Sequence, residues 1–446
     1  MLLILSIAGC SPLDPVVSVG TPAPAQTQSA EPEESAQLST PKPKPTATPQ
    51  VESEITPTAI PTEPNGAGAY TIAADVSESK KTYYSEKADE NALRVENGAI
   101  ASIDGASVEK RAGDATSLEH TLLYGLNAAV LVRANAQLLL TNSEVSAAAL
   151  GAGGVFAAGG RAQLQSSAVR AAGASAFAVA AANGGVLSIK DTNVTTQGAA
   201  SPAILAASGG SIEMAGGMTA TAGQDAPIIR ARGSVTAASA TLRANNAEAV
   251  AIDGGSVSLV DCAVSGRMSD AAAGTQSAPY CVALYHSSAE DVATGTFSMT
   301  RGALSAIRGD MFYVTNTKAA IQLEAVSLAL GEGRAFLRVS GNDGSRGWGE
   351  AGENGASCAV TAIDQLIRGD VVVDALSSVA LTLRGESVFT GTVNAANTAR
   401  SARVTLENGA RWELTGNAYL TAFTGRVSNV VTNGFTVYVN GVALTN

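Results

Sequence analysis

The chain has 446 residues and a formal net charge of −11, from 28 basic and 39 acidic residues. Hydrophobic residues make up 46%, yet aromatics only 4% and charged residues 15%, and there are 46 glycines. That mix argues against a large aromatic-filled globular core and suits thin stacked layers with many turns. No basic patch is present, so no nucleic acid partner is expected, and the acidic balance mainly implies solubility.

The N-terminus reads MLLILSIAGCSPLD, an apolar run from Leu2 to Ile7 followed by Ala8, Gly9 and Cys10. Small residues before a cysteine resemble the lipobox of bacterial lipoproteins. This implies a signal peptide over 1–10, a diacylglycerol on Cys10, and a membrane partner reached through the acyl chains. The run is too short to span a bilayer. A signal peptide also needs a basic n-region, and nothing basic precedes Leu2, so the start lies late or the sequence is a fragment. The competing reading is a chance apolar start with an ordinary cysteine.

Residues 11–66 read as a disordered linker, with TPAPAQTQ, PKPKPTATPQ and ITPTAIPTEP carrying most of the 15 prolines. The segment lacks apolar periodicity, and proline removes backbone donors. Fully extended, it reaches on the order of 150 Å, a spacer suited to pushing a domain through cell-wall polymer.

A repeat dominates residues 67–446. From the anchor Gly185, apolar residues follow at plus two (Leu187), plus four (Ile189) and plus nine (Val194). The template recurs from Ala136, Gly160, Gly210, Gly233, Gly255, Gly295, Ala319, Cys358, Val379 and Ala410, with a weaker copy from Ala99. At Gly210 the last apolar residue, Met218, comes one place early. From Ala136 to Gly255 the anchors are 24, 25, 25, 23 and 22 residues apart. Each repeat holds about three short strands of period two between Gly, Asn or Asp corners. A leucine-rich repeat would need a helix-forming half, and a β-sandwich array would need paired hairpin turns. The expected fold is all-β, a single right-handed parallel β-helix of about twelve coils. Tyr70 to Asn91 is charged, breaks the repeat and reads as an N-terminal cap, because open β-helix ends are sticky edges. SNVVTNGFTVYVNGVALTN reads as a terminal strand pair.

The segments YGLNAAVLV, NAEAVAIDGGSVSLVDCAVSG, GDMFYVTNTKAAI and SRGWGEAGENGASC resemble a group of right-handed parallel β-helix (pectin-lyase-like) surface lipoproteins of Gram-positive gut bacteria. This resemblance covers most of 93–446. LENGARWELTGNAYLTAF is similar to the last coils of pertactin-type autotransporter passenger domains. Together they imply the pectin-lyase-like fold and exposure at the cell surface. They bring no catalytic residues to transfer, and no translocator barrel follows in this sequence.

Many β-helices are polysaccharide lyases or hydrolases, which need clustered aspartates beside a basic residue, a Ca²⁺ site or an acid/base pair. Polygalacturonase-like motifs such as NTD, GHG and RIK do not occur, and Asp253 and Asp261 read as corner residues. His120 and His286 are too few and too far apart for an evident metal site. Neither a catalytic residue nor a cofactor is therefore assigned. The paired glycines Gly184-Gly185 and Gly254-Gly255 lack the Lys-Ser/Thr of a phosphate loop. Cys262, Cys281 and Cys358 are small buried apolar side chains in one reading; in the other, Cys262 and Cys281 form a bridge.

Insertions in solenoids map to loops on one face, often the binding face. Four anchor gaps are long: 37 residues from Ala99, 40 from Gly255, 39 from Ala319 and 31 from Val379. Aromatics, absent between Phe177 and Tyr280, return with Tyr280, Tyr285, Phe297, Phe312, Tyr313, Phe336 and Trp348. Such rings suit ligand contact, although Phe297 and Phe336 read as filling for wider coils. The segments 286–292 and 341–357 occupy equivalent turns two coils apart, about 10 Å. They would close over one groove holding His286, Glu290, Asp291, Asp343, Arg346, Trp348, Glu350 and Glu353. Arg beside Trp suits a contact hot spot; carboxylates with carbonyls would alternatively hold Ca²⁺; a solvated Gly-rich loop is the plainer reading. The expected function is an adhesin-like surface module that binds a glycan or another host or cell-wall partner. The alternatives are a polysaccharide lyase or hydrolase, or a structural stalk.

Overall fold

The computed structural model describes residues 65–269, 279–287, 294–342, 353–407 and 409–445. The chain divides into two units, Met1–Ile60, which lies outside the described residues, and Pro61–Asn446. The second unit is a right-handed parallel β-helix. Each coil lays one strand on each of three sheets, and each strand hydrogen-bonds to its equivalents in the coils before and after. Sheet 1 has 12 strands, from Ala67–Ile72 to Val371–Val373. Sheet 2 has 14, from Val76–Ser79 to Ala422–Thr424, and sheet 3 has 10, from Thr82–Ser85 to Ser327–Leu330. A four-stranded sheet beginning at Leu366–Arg368 continues the third side.

The predicted anchors mark the corner from sheet 1 to sheet 2. Glycine fits there because the backbones almost touch: a Cβ on Gly185 would lie 2.0 Å from the Ala157 carbonyl oxygen, and one on Gly210 2.1 Å from that of Ala181. The apolar residues at plus two and plus four face inward, so Leu138, Ala162, Leu187, Ile212 and Val235 form one continuous interior column.

The corner from sheet 2 to sheet 3 turns on a single residue in the left-handed region, such as Asn142 (φ 50), Ser166 (φ 50) and Asp191 (φ 47). The next residue carries a hydroxyl ladder. Ser143, Ser167 and Thr192 are buried. Each accepts from the backbone N–H of the layer before it: Ala106 N to Ser143 Oγ at 2.9 Å, Ser143 N to Ser167 Oγ at 3.1 Å, Ser167 N to Thr192 Oγ1 at 3.3 Å. Each also donates to the carbonyl two residues back, at 2.6, 2.8 and 2.8 Å. Buried backbone donors need such partners.

Several sequence expectations need correction. Residues 70–91 do not break the repeat: they contain regular strands that pair in register with the following layer and make up most of the first described coil. The anchor Ala410 belongs to the third side. Its sheet 2 counterpart is Ala402, which pairs with Val379, so the 379–410 gap is a regular coil and no insertion. Met218 is exposed and Thr219 points inward instead, its hydroxyl 3.6 Å from Met214 Sδ. The 99–136 gap holds a helix that the strand periodicity hid, α1 (Leu118–Tyr124). Ser117 caps it by accepting from His120 N, and Gly125 (φ 74) ends it. Its Leu122 packs on Leu131, Phe156 and Phe177, outside the main core. The terminal strand pair is present: Val437–Val439 pairs antiparallel with Val442–Ala443.

At the N-terminal end of the interior sits Lys110, 1% exposed. Its Nζ donates to the Lys87 carbonyl and lies 3.4 Å from Ser85 Oγ, which in turn donates to Glu90. Burial pulls the Lys110 ammonium down to about 8, against the opposing pull of Glu90 and Asp89.

Ser167→Ala is expected to destabilise the rod by about 1–3 kcal/mol, because the Ser143 N–H loses its acceptor inside a dry corner; chemical denaturation measures this. The second expectation concerns pH. Lys110 releases its proton near 8 when folded and near 10.5 when unfolded. Between those values the unfolded chain binds more protons, so this group's contribution makes stability rise with pH across that window. The stability difference between wild type and Lys110→Met should be flat below pH 8 and change only inside the window; a difference flat throughout refutes this.

Candidate functional site

The two insertions expected to share an edge have their roots on the same corner. The first leaves sheet 1 after Tyr280–Tyr285 and returns on sheet 2 at Gly295–Thr300. The second leaves after Leu337–Ser340 and returns at Ser357–Ile363. One sheet 1 strand, Asp310–Thr315, lies between the two exits, which puts the roots about 10 Å apart. Of the candidate groove residues, His286 and Glu353 are described. Glu290, Asp291, Asp343, Arg346, Trp348 and Glu350 lie outside the described residues, as does Cys10.

The roots are held firmly. At the first, Asp253 on the outer face of sheet 1 accepts from Ser287 N at 2.8 Å, Ser287 Oγ at 2.7 Å and Arg232 Nε at 2.6 Å. The Asn316 side chain donates to the His286 carbonyl at 2.6 Å. At the second, Asn342 N donates to the Glu353 carbonyl at 3.2 Å, and Gly341 N to Asp374 Oδ2 at 2.7 Å. The segment therefore leaves and returns through a pinched neck. At the far end of the intervening strand from the roots, buried Asp310 accepts from Arg338 Nε at 2.7 Å and Ala335 N at 2.9 Å.

Arg232, Ser287, Asp310, Arg338 and Asp374 were not singled out from the sequence. A signal existed: Arg232 and Asp253 stand 21 residues apart, close to the repeat length, so stacking brings them side by side. Asp253 and Asp310 are both held by an arginine and a backbone donor, Asp253 at the first root and Asp310 at the opposite end of its strand. Among the described residues no group of three or more His, Cys, Asp or Glu is placed to hold a metal ion.

The returning aromatics among the described residues serve packing. Phe297, Phe312 and Phe336 are buried edge to face, with ring centroids 5.5 and 5.6 Å apart. Tyr280 and Tyr313 stack at 4.9 Å on the outer side of sheet 1 but are only 1% and 8% exposed, and Tyr285 is 7% exposed. The rings offer little free surface for a ligand.

Cys262, Cys281 and Cys358 are free thiols, all buried; the Cys262–Cys281 bridge is not formed. Cys262 occupies the hydroxyl-ladder position, its Sγ 3.4 Å from the carbonyls of Ala237 and Val260. Burial pushes the thiols of Cys281 and Cys358 up to about 12.

No protein-family profile, curated protein or solved structure matches this chain.

Proposed function

We propose that this protein is a lipid-anchored, adhesin-like binding module of the bacterial cell surface, built on a pectin-lyase-like β-helix, that recognises a glycan. The observation that carries this reading is the placement of the two insertions. They leave one corner of a rigid rod two layers apart, through roots pinned by Asp253 and Asp374. Loops on a stiff scaffold are the usual carriers of recognition. The lipobox-like junction at Cys10 and the proline-rich segment behind it supply an anchor and a spacer. Among the described residues no helix is long and apolar enough to cross a membrane, so the anchor in this reading is the lipid. A lyase or hydrolase would need a free carboxylate near a base, whereas Asp253 and Asp310 are both committed to arginines. A bare stalk would have no use for pinned insertions.

The test is a glycan array probed with the full chain and with Trp348→Ala. Wild type should bind a defined subset without generating new reducing ends. The variant should lose about tenfold or more in affinity at nearly unchanged Tm. Binding to no glycan, or turnover of a bound one, overturns the reading. For the anchor, Cys10→Ala should move the protein from membranes into the medium; a variant that stays with the membrane refutes it.

A further inference from the structure

The outer face of sheet 2 carries a concavity of its own. Over coils 10 to 13, counted from the first described coil, three outward rows run along the rod. One row pairs Lys318, Ser357, Ser378 and Ser401; the next pairs Ala320, Ala359, Ala380 and Arg403; the third pairs Gln322, Thr361, Thr382 and Thr405. In the preceding layers the middle row holds Arg161, Val186, Ser211, Ser234, Ser256 and Thr296. Where it becomes alanine, the surface sinks into a trough of about 380 Å³. Ser357, Ser378 and Ser401 line one side, and the methyl groups of Ala359 and Ala380 form its floor.

The two ends are cationic. Lys318 and Arg403 are both exposed, three layers apart, about 14 Å along the axis. Neighbouring arginines are neutralised: Arg384 pairs with Glu407 at 2.9 Å and Arg301 with Asp261 at 2.7 Å. Neither Lys318 nor Arg403 has an ion pair among the described residues.

We infer that this trough binds a linear anionic glycan lying parallel to the rod. The inference rests on the glycan-binding reading and adds a second surface and a charge to it. Each part has a matching chemistry. The hydroxyls of Ser357, Ser378 and Ser401 both donate and accept, as sugar hydroxyls require. The alanine methyls suit the apolar face of a pyranose ring. Lys318 and Arg403 suit carboxylates or sulfates spaced along the chain. The layer repeat of about 4.8 Å is close to the advance of one sugar in an extended polymer, so successive rings meet equivalent rows. The cations are solvent-exposed, so binding should weaken with salt.

The experiment is titration of the full chain with hyaluronan (a carboxylate on every disaccharide), chondroitin sulfate and neutral dextran, at low and high salt. Both anionic polymers, or one of them, should bind, and dextran should not. Lys318→Glu and Arg403→Glu should each weaken binding about fivefold, and the pair about twentyfold. Ala359→Trp, which fills the trough without changing charge, should weaken it about tenfold or more. Arg243→Glu, exposed on sheet 3, should change it less than about twofold. Melting curves identify any variant that misfolds. If wild type binds an anionic glycan but the double variant and Ala359→Trp bind equally well, the trough is not the site and the glycan-binding reading stands. If it binds dextran as tightly, the anionic assignment fails alone. If it binds neither these polymers nor any glycan on an array, both readings fall.

Discussion

The structure depends on one constraint: every backbone N–H and C=O of a coil points along the rod and must meet a partner in the next layer. Within the strands the parallel ladder meets this demand in register. At the corners the ladder breaks, and buried donors there would be costly. The chain solves each corner differently. Glycine anchors let sheet 1 turn into sheet 2 where backbones nearly touch. Left-handed single residues turn sheet 2 into sheet 3, and the hydroxyls of Ser143, Ser167 and Thr192 stitch the layers behind them. Cys262 takes the same position with a weaker donor. That is why this cysteine can be buried and unpaired without leaving a hole in the corner.

The interior follows from that frame. Coils whose corners are tight are filled with Ala, Val, Leu and Ile. Farther along, Phe297, Phe312 and Phe336 stack edge to face, and then Trp412 lies against Phe389 with its indole N–H on the Gly391 carbonyl. Aromatic filling and the two pinned insertions coincide in the same stretch. The insertions leave from corners, so no strand of the frame is interrupted to make them. At the C-terminal end of the described residues an antiparallel pair stops the ladder, which makes that end a poor template for further strands.

This division between frame and excursions shapes the functional reading. The frame supplies stiffness and a surface ruled at a constant spacing. In the proposed reading, recognition falls to the corner insertions and to outward rows whose side chains are free of packing duties. On sheet 1 outward carboxylates are committed to arginines, as with Asp253 and Asp310. On sheet 2 the outward rows stay simple, and a trough lies where the middle row is alanine.

The sequence by itself determined the architecture. Side chains at plus two and plus four from each glycine anchor must alternate in and out of a strand, and a spacing of 22 to 25 residues leaves room for three strands per turn. Eleven of the twelve anchors therefore fall where the structure has them, Ala410 being the exception. What the tertiary structure alone decided are matters of which layer touches which. Arg232 meets Asp253, Lys318 lines up with Ser357, Ser378 and Ser401, and Ala402 replaces Ala410 as the sheet 2 residue. The helix at Leu118–Tyr124 escaped because a strand template has no place for a period of 3.6. Such contacts join residues one coil apart, and the coil length varies wherever an insertion enters. A small error in one corner shifts every later row, so the outer faces became readable only once the corners were fixed in space.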